Sequence, residues 1–393
     1  MERVAPDLRK SRLLKLLCYP VSLRLVIFFA FFLIYAIGAT LLFHFWIEPT
    51  LDGRADAHIA ADSTRYMYFA DCLRDGCTEP LVLASLAVFP NTLWAPVSLA
   101  LVLKSTISIA VFNVGVFLFC ILLLKRSFPS VKADLLMLFL LANATTLVSL
   151  LTVNKETIDL LAISLFCYSR TSGRRLPLGA ALIIALVNRY EVCAMLLLFM
   201  LLQSKLNLLR KRRGLTLLAL VILLTVSLPL LAMQSLMDRF EEVQRIGRDG
   251  ALVLLDNLEM HFGFFVAFLP KLIEVMFGDL LSSFSRWSTY SLDDAANTYI
   301  LFLNNLANVL VVAVLLWKRT FRLRNDIIYL TSVCAIVISI SLVNQPRYFY
   351  ICFVLLCVQA AHPKRFQEPT GGSLQKAKDI TFLSFPASQA RQH

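Results

Sequence analysis

Apolar residues run along this chain in long blocks separated by short polar or basic turns. A helix needs about 20 such residues to cross the hydrocarbon of a bilayer, and the first block occupies 25–47. Further blocks lie near 105–124, 133–153, 156–170, 176–188, 191–204, 214–236, 297–317, 327–344 and 348–362. Their spacing predicts helical hairpins, about 10 spans in all, with both termini cytoplasmic. The fold class expected is all-α, a polytopic transmembrane helical bundle. Residues 1–362 form a single transmembrane domain with outer loops at 48–80 and 237–296, and 363–393 form a polar, loosely ordered cytoplasmic tail.

Two apolar stretches, 81–103 and 251–281, do not fit as single crossings, because each would invert the basic clusters that follow. Pro90 and Pro96 interrupt the first, and Gly263 and Pro270 the second. Proline removes a backbone donor and breaks helices, so both read as re-entrant or interfacial helices on the outer face. A crossing pair is the alternative that preserves parity for 251–281.

Composition removes the soluble alternative. Hydrophobic residues make up 58% and charged residues 16%, against about 45–50% and about 25% in soluble domains. The 38 basic residues outnumber the 26 acidic ones, for a net charge of +12. They bunch between apolar runs, as at Lys125, Arg126 and Lys132, at Arg170, Arg174 and Arg175, at Arg210 to Arg213, and at Lys318 to Arg324. This is the positive-inside pattern, with anionic lipid headgroups rather than nucleic acid as the partner. A basic flank without a small-residue cleavage site makes the first span an uncleaved anchor. No Gly-rich phosphate loop, C-x2-C pair or G-x-S-x-G elbow occurs, which disfavours nucleotide hydrolysis, zinc folding and serine hydrolysis.

Charged turns inside this apolar frame carry the candidate chemistry. Several later runs have only about 12–15 apolar residues on each side of a turn, too few to span, so the turns dip inward. They read Asn154-Lys155-Glu156, Asn188-Arg189-Tyr190-Glu191 and Asn344-Gln345-Pro346-Arg347-Tyr348, all on the outer side. A charge held toward hydrocarbon costs about 2.5–3.5 kcal/mol, so these residues face a polar cavity or one another. Each turn alone also fits a helix cap or a solvated pair, but three on one face favour a shared cavity. The first outer loop adds Asp52, Asp56, His58, Asp62, Ser63, Arg65 and Tyr66. Tyr66, Phe69, Ala70 and Leu73 follow a helical stripe, as in a helix lying in the membrane interface. Asp62 at its start serves as a helix cap, or as general base toward a sugar hydroxyl, or as an oxygen ligand to a hard divalent cation such as Mg or Mn. His58 has no companion set for a transition metal. Seven cysteines lie in or beside apolar runs, while Cys72 and Cys77 share a polar loop at C-x4-C spacing. A disulfide and two free thiols both remain open for that pair.

The segment Ala61-Asp62-Ser63-Thr64-Arg65-Tyr66-Met67-Tyr68-Phe69-Ala70 resembles the first-outer-loop acidic motif of GT-C glycosyltransferases, as in the bacterial lipid A aminoarabinose transferases and their protein mannosyltransferase relatives. The Asn154-Lys155-Glu156 and Arg189-Tyr190-Glu191 turns resemble those of exopolysaccharide and O-antigen repeat-unit polymerases. The acidic pair of the aminoarabinose transferases is not reproduced, since Ser63 follows Asp62. The resemblance implies a GT-C-like fold in a bacterial inner membrane. It implies transfer of a sugar from a polyprenyl-(di)phosphate donor to a glycan or lipid acceptor, in cell-surface polysaccharide assembly. In that scheme Asp62, with Asp56 as second choice, takes the acceptor proton. Arg189 and Arg347 neutralise the leaving phosphate, Lys155 adds a point charge, and Glu156 and Glu191 orient the cations. Arg65, Tyr66 and Tyr348 complete the expected substrate-binding set. A repeat-unit polymerase or ligase, and a lipid-linked saccharide transporter or flippase, are the competing functions.

Overall fold

The computed structural model describes residues 61–76, 90–232, 263–277, 292–339 and 349–362, with Leu258 and scattered positions between 30 and 45. Among these residues the fold is all helical. The elements are α1 (Ala61–Arg74), α2 (Pro90–Leu103), α3 (Thr106–Ser127), α4 (Ala133–Leu141), α5 (Ala144–Leu151), α6 (Glu156–Ser172), α7 (Arg175–Asn188), α8 (Tyr190–Gln203), α9 (Arg213–Ala232), α10 (Phe264–Phe277), α11 (Leu292–Trp317), α12 (Asp326–Ile338) and α13 (Tyr350–Ala360).

The centre is set by α13, whose residues are all buried, and by α12, buried along most of its length. A helix apolar all round has no solvent face to turn outward. α13 packs against α4, α6, α11 and α12. α6 packs along α3 and α7, α8 along α12, and α9 and α10 pack against α12 and each other. Phe166, Phe199 and Tyr329 stack in sequence through this core, with ring centroids about 6 Å apart.

α3 has 22 residues and is the helix, among those described, long and apolar enough to cross a membrane unaided. Its N-cap is Ser105, whose hydroxyl accepts from the Ser108 amide, and Lys125 and Arg126 close its last turn. One face, with Ile109, Phe117, Cys120 and Leu124, is buried; the other exposes Val111, Leu118 and Leu122, equally apolar. The same inversion recurs through the fold. Ile183, Leu223, Val266 and Leu316 are exposed, while Glu156, Asp159, Asn188, Lys271, Asn304 and Asn305 are buried. Soluble proteins place charged groups outside and large apolar groups inside.

The run near 133–153 is not one helix. It breaks at Asn143 into α4 and α5, bent by 86°. Asn143 caps α5 by accepting from the Thr145 and Thr146 amides, at 2.9 and 3.4 Å. Asn304 of α11 grips the same residue, accepting from the Thr145 amide and donating to its hydroxyl, both at 2.8 Å. Asn competes well for free helix-end amides, and here two of them stabilise the break.

α1 also departs from expectation. Its stripe of Tyr66, Phe69 and Ala70 is buried as the periodicity predicts, but against Val97 and Ala100 of α2, Ile109 and Val153. Protein, not a membrane interface, covers this face. In 81–103 a helix forms over 14 residues, about 21 Å at 1.5 Å per residue. Pro90 stands in its first turn, where the missing donor costs nothing, and Pro96 lies inside it. α10 likewise contains Pro270.

The two ends of the bundle differ in chemistry. At one end the basic turns converge. Arg213 donates to the Leu323 and Arg324 carbonyls at 3.0 and 2.8 Å and pairs with buried Asp326. Lys318 donates to the Ala360 and His362 carbonyls at 2.5 and 2.9 Å, and Lys125 to the Pro129 and Val131 carbonyls at 2.5 and 2.6 Å. Lys318 meets the last carbonyl of α13 and so the negative end of that helix's dipole, while Arg213 and Lys125 satisfy carbonyls of the turns. α6 ends here, terminated by Gly173 at φ 69°, and begins at the other end, at Glu156.

Candidate functional site

The opposite end gathers turns from three parts of the chain. Glu156 and Asp159 occupy the first turn of α6, three residues apart and therefore on one face. Arg189 is a single extended residue, φ −150° and ψ 107°, between the end of α7 and the start of α8. Its amide closes α7 on the Ala185 carbonyl at 2.7 Å, and its own carbonyl accepts from the Val192 and Cys193 amides at 3.0 and 3.3 Å. Both backbone groups are thus satisfied by the neighbouring helices, and the side chain is left to reach α6.

It reaches two carboxylates. Arg189 Nη2 lies 2.7 Å from Glu156 Oε1, and Nη1 lies 3.2 Å from Asp159 Oδ2. Both acids are fully buried and the arginine side chain is 11% exposed. Asn188 closes the arrangement by donating from Nδ2 to Asp159 Oδ1 at 2.7 Å and to the Lys155 carbonyl at 2.9 Å. One cation faces two anions, hydrogen-bonded to Glu156 and ion-paired with Asp159. Glu156 Oε2, Asp159 Oδ2 and Asn188 Oδ1 are buried acceptors with no hydrogen-bond donor among the described residues.

α1 lies over this cluster. Ser63 Oγ donates to the Val153 carbonyl at 2.6 Å, 90 residues along the chain, in a buried bond. Lys155 Nζ sits 5.8 Å from the centroid of the Tyr66 ring, in cation–π range. From the far side, Tyr350 interacts electrostatically with Glu156 and accepts from Thr146 Oγ1 at 3.2 Å.

Of the residues expected from the sequence, Lys155, Glu156, Arg189 and Tyr66 therefore meet. Glu156 pairs with Arg189, and the same guanidinium also meets Asp159. Asp62 falls in the first turn of α1, one position inside the helix start and next to the anchored Ser63; its side chain lies outside the described residues. Asp56, Arg347, Tyr348 and Cys77 also lie outside them. Arg65 is exposed, with its guanidinium 5.3 Å from the Phe69 ring centroid, and Glu191 is exposed in the first turn of α8. Neither belongs to the cluster around Arg189. Cys72 is buried and disulfide-bonded, and six other cysteines, all buried, are free. Among the described residues no three His, Cys, Asp or Glu side chains gather as a metal set.

Asp159 and Ser63 carry more than the sequence reading gave them. An acid three residues after Glu156, inside an apolar run, is the signal that marks Asp159. No protein-family model, curated protein or solved structure matches the chain.

Proposed function

We propose that the chain is a multi-span protein of a bacterial inner membrane that transfers a sugar from a polyprenyl-(di)phosphate donor to a glycan or lipid acceptor in cell-surface polysaccharide assembly. The inverted distribution of polar and apolar side chains supports the bilayer as its solvent: large aliphatic residues face outward and the ionic cluster faces inward. The convergence of basic turns at one end supports the orientation, with that end cytoplasmic and the Arg189 end outward.

The observation that carries the reading is the set of buried acceptors at this end without a donor among the described residues, Glu156 Oε2, Asp159 Oδ2 and Asn188 Oδ1. A buried acceptor without a donor costs about 1–3 kcal/mol, and a polyhydroxylated ligand supplies donors in the required number. In that orientation this end would lie at headgroup depth, which suits the anomeric carbon of a lipid-linked sugar. In the reaction, Asp62 takes the proton of the acceptor hydroxyl as its oxygen bonds to the anomeric carbon. The bond from that carbon to the phosphate oxygen breaks, and the electron pair leaves on the phosphate. Because Arg189 is committed to two carboxylates, Lys155 and Arg347 supply the counter-charge. Glu156 fixes Arg189 and accepts from a sugar hydroxyl.

The test is transfer from a radiolabelled polyprenyl-phosphate sugar by the purified protein. Asp62→Asn should fold normally and lose transfer, and Glu156→Gln should raise KM more than it lowers kcat. Full activity in Asp62→Asn removes that residue from the chemistry. A ladder of products from a lipid-linked oligosaccharide would instead mark a repeat-unit polymerase.

Translocation of a lipid-linked saccharide is the second reading, and α11 is the observation that favours it. Asn304, Asn305 and Asn308 are buried in the middle of that 26-residue helix, and neither amide atom of Asn305 has a partner among the described residues. Polar groups at mid-depth mark transport paths. Movement of a fluorescent lipid-linked sugar across vesicles without any glycosidic product would decide for it.

A further inference from the structure

A second site lies on the other side of the core. Between α9, α10 and α12 runs a cavity of about 520 Å³, a volume in the usual range for ligand pockets. Leu217, Phe268, Leu272, Ile328 and Ile336 form its walls. The two polar residues in the wall, Thr331 and Ser332, turn their hydroxyls back onto the Ile327 and Ile328 carbonyls at 2.8 and 2.9 Å. Both O–H donors are therefore spent within the helix, and a wall this poor in polar groups suits a hydrocarbon chain better than a sugar or a nucleotide.

The mouth has the opposite chemistry. The lining is exposed at Leu218 and Phe321, each 44%, toward the basic end and at Phe265, 52%, at the start of α10, whereas Phe349 inside is 2% exposed. Phe321 stands in the turn between α11 and α12 together with Arg319 and Arg324, both exposed. Arg213 ties that turn to the start of α9 through the Leu323 and Arg324 carbonyls, which brings exposed Lys211 and Arg212 to the same rim. Neither segment, 205–213 or 318–325, contains an acid, and the neighbouring Asp326 is buried and paired with Arg213. The end of the groove at Leu218 and Phe321 is thus flanked by cations, and the interior is almost entirely apolar.

We propose that this groove holds an acyl chain of an anionic phospholipid of the cytoplasmic leaflet, with its phosphate on Arg319 and Arg324. The proposal rests on the bilayer reading above and is independent of the sugar-transfer chemistry. An anionic head and an apolar tail complement the two parts of the site, and the basic end of the bundle is where anionic lipid is concentrated. Arginine at that rim binds phosphate oxygens in a fork.

The experiment measures thermal unfolding and retained lipid, by native mass spectrometry, for protein purified in neutral detergent. The probes are phosphatidylglycerol, phosphatidylcholine with the same chains, inorganic phosphate and polyprenyl phosphate. Phosphatidylglycerol should raise the melting midpoint and be retained, and the other three should not. Arg319→Gln with Arg324→Gln should weaken phosphatidylglycerol binding about 25-fold, at about fivefold for each arginine near a lipid surface. Ser332→Phe, which fills the groove, should abolish retention; the exposed arginine pair keeps the test valid if that variant does not fold. Equal effects of phosphatidylcholine, a response to phosphate alone, preferential retention of polyprenyl phosphate, or indifference of the arginine pair would each overturn the proposal. Alkaline extraction of native vesicles separates the two levels. Release of the protein overturns the bilayer reading, whereas retention in the membrane with lipid-independent melting overturns the groove alone.

Discussion

Replacing Arg189 with Gln tests the centre of the buried ionic cluster. The guanidinium lies 2.7 Å from one fully buried carboxylate and 3.2 Å from another. Without it, Glu156 and Asp159 face each other with no cation between them and no access to water. Removing one partner of a buried ion pair costs about 3–5 kcal/mol, mostly because a charge is left uncompensated. Two acids share this cation, so the upper half of that range is expected for Arg189→Gln. Glu156→Gln should cost less, because Arg189 keeps Asp159. The double variant should cost less than the sum of the singles, with a coupling of about 0.5–3 kcal/mol. Arg189→Lys should recover only part of the loss, since an ammonium cannot fork to both acids. Reversible unfolding in mixed detergent micelles measures all four. A loss below about 1 kcal/mol in Arg189→Gln, with additive singles, would refute the idea that this ion network holds the end of α6 to the α7–α8 junction.

Asn304→Leu removes both of the 2.8 Å bonds to Thr145 and should cost about 1–3 kcal/mol in the same assay; a neutral result would mean that Asn143 alone supports the break. Ser63→Ala loses the bond to Val153 and should speed amide hydrogen exchange in α1 while leaving α13 protected; uniform exchange changes would refute local docking. Lys318 is held below the ordinary lysine value, first by burial and then by Lys132. In the window just under that ordinary value the unfolded chain binds the proton more tightly, so stability should rise with pH there. Lys318→Met should flatten the slope, and an unchanged slope would count against the assignment.

Helix positions were legible because hydrophobic blocks and their punctuation are local properties. The block at 105–124 is α3, those at 176–188 and 191–204 are α7 and α8, and the basic bunches do gather at one end. The pairing of the Lys155-Glu156 turn with Arg189 was also legible, since charge in an apolar frame has few places to go. The 86° break after α4 was not. It depends on Asn304, more than 150 positions away, and a single Asn143 in an apolar run is ambiguous by itself. The burial of α1 against α2 was hidden for a related reason: an amphipathic stripe shows that a face is covered, not what covers it. Asp159 escaped notice because it sits within the apolar run rather than in the turn.

The stretch from Thr145 to Val153 is gripped from three directions. Asn304 of α11 holds its start, Asn113 of α3 donates to the Ser149 and Thr152 carbonyls at 3.0 and 2.9 Å, and Ser63 of α1 holds its last residue. None of those three helices can slide along its axis without dragging this short segment or rupturing a buried bond. The segment is therefore a shared axle: a tilt of α11 would load the bonds that also fix α1 and the charged turn beginning one residue later, at Asn154.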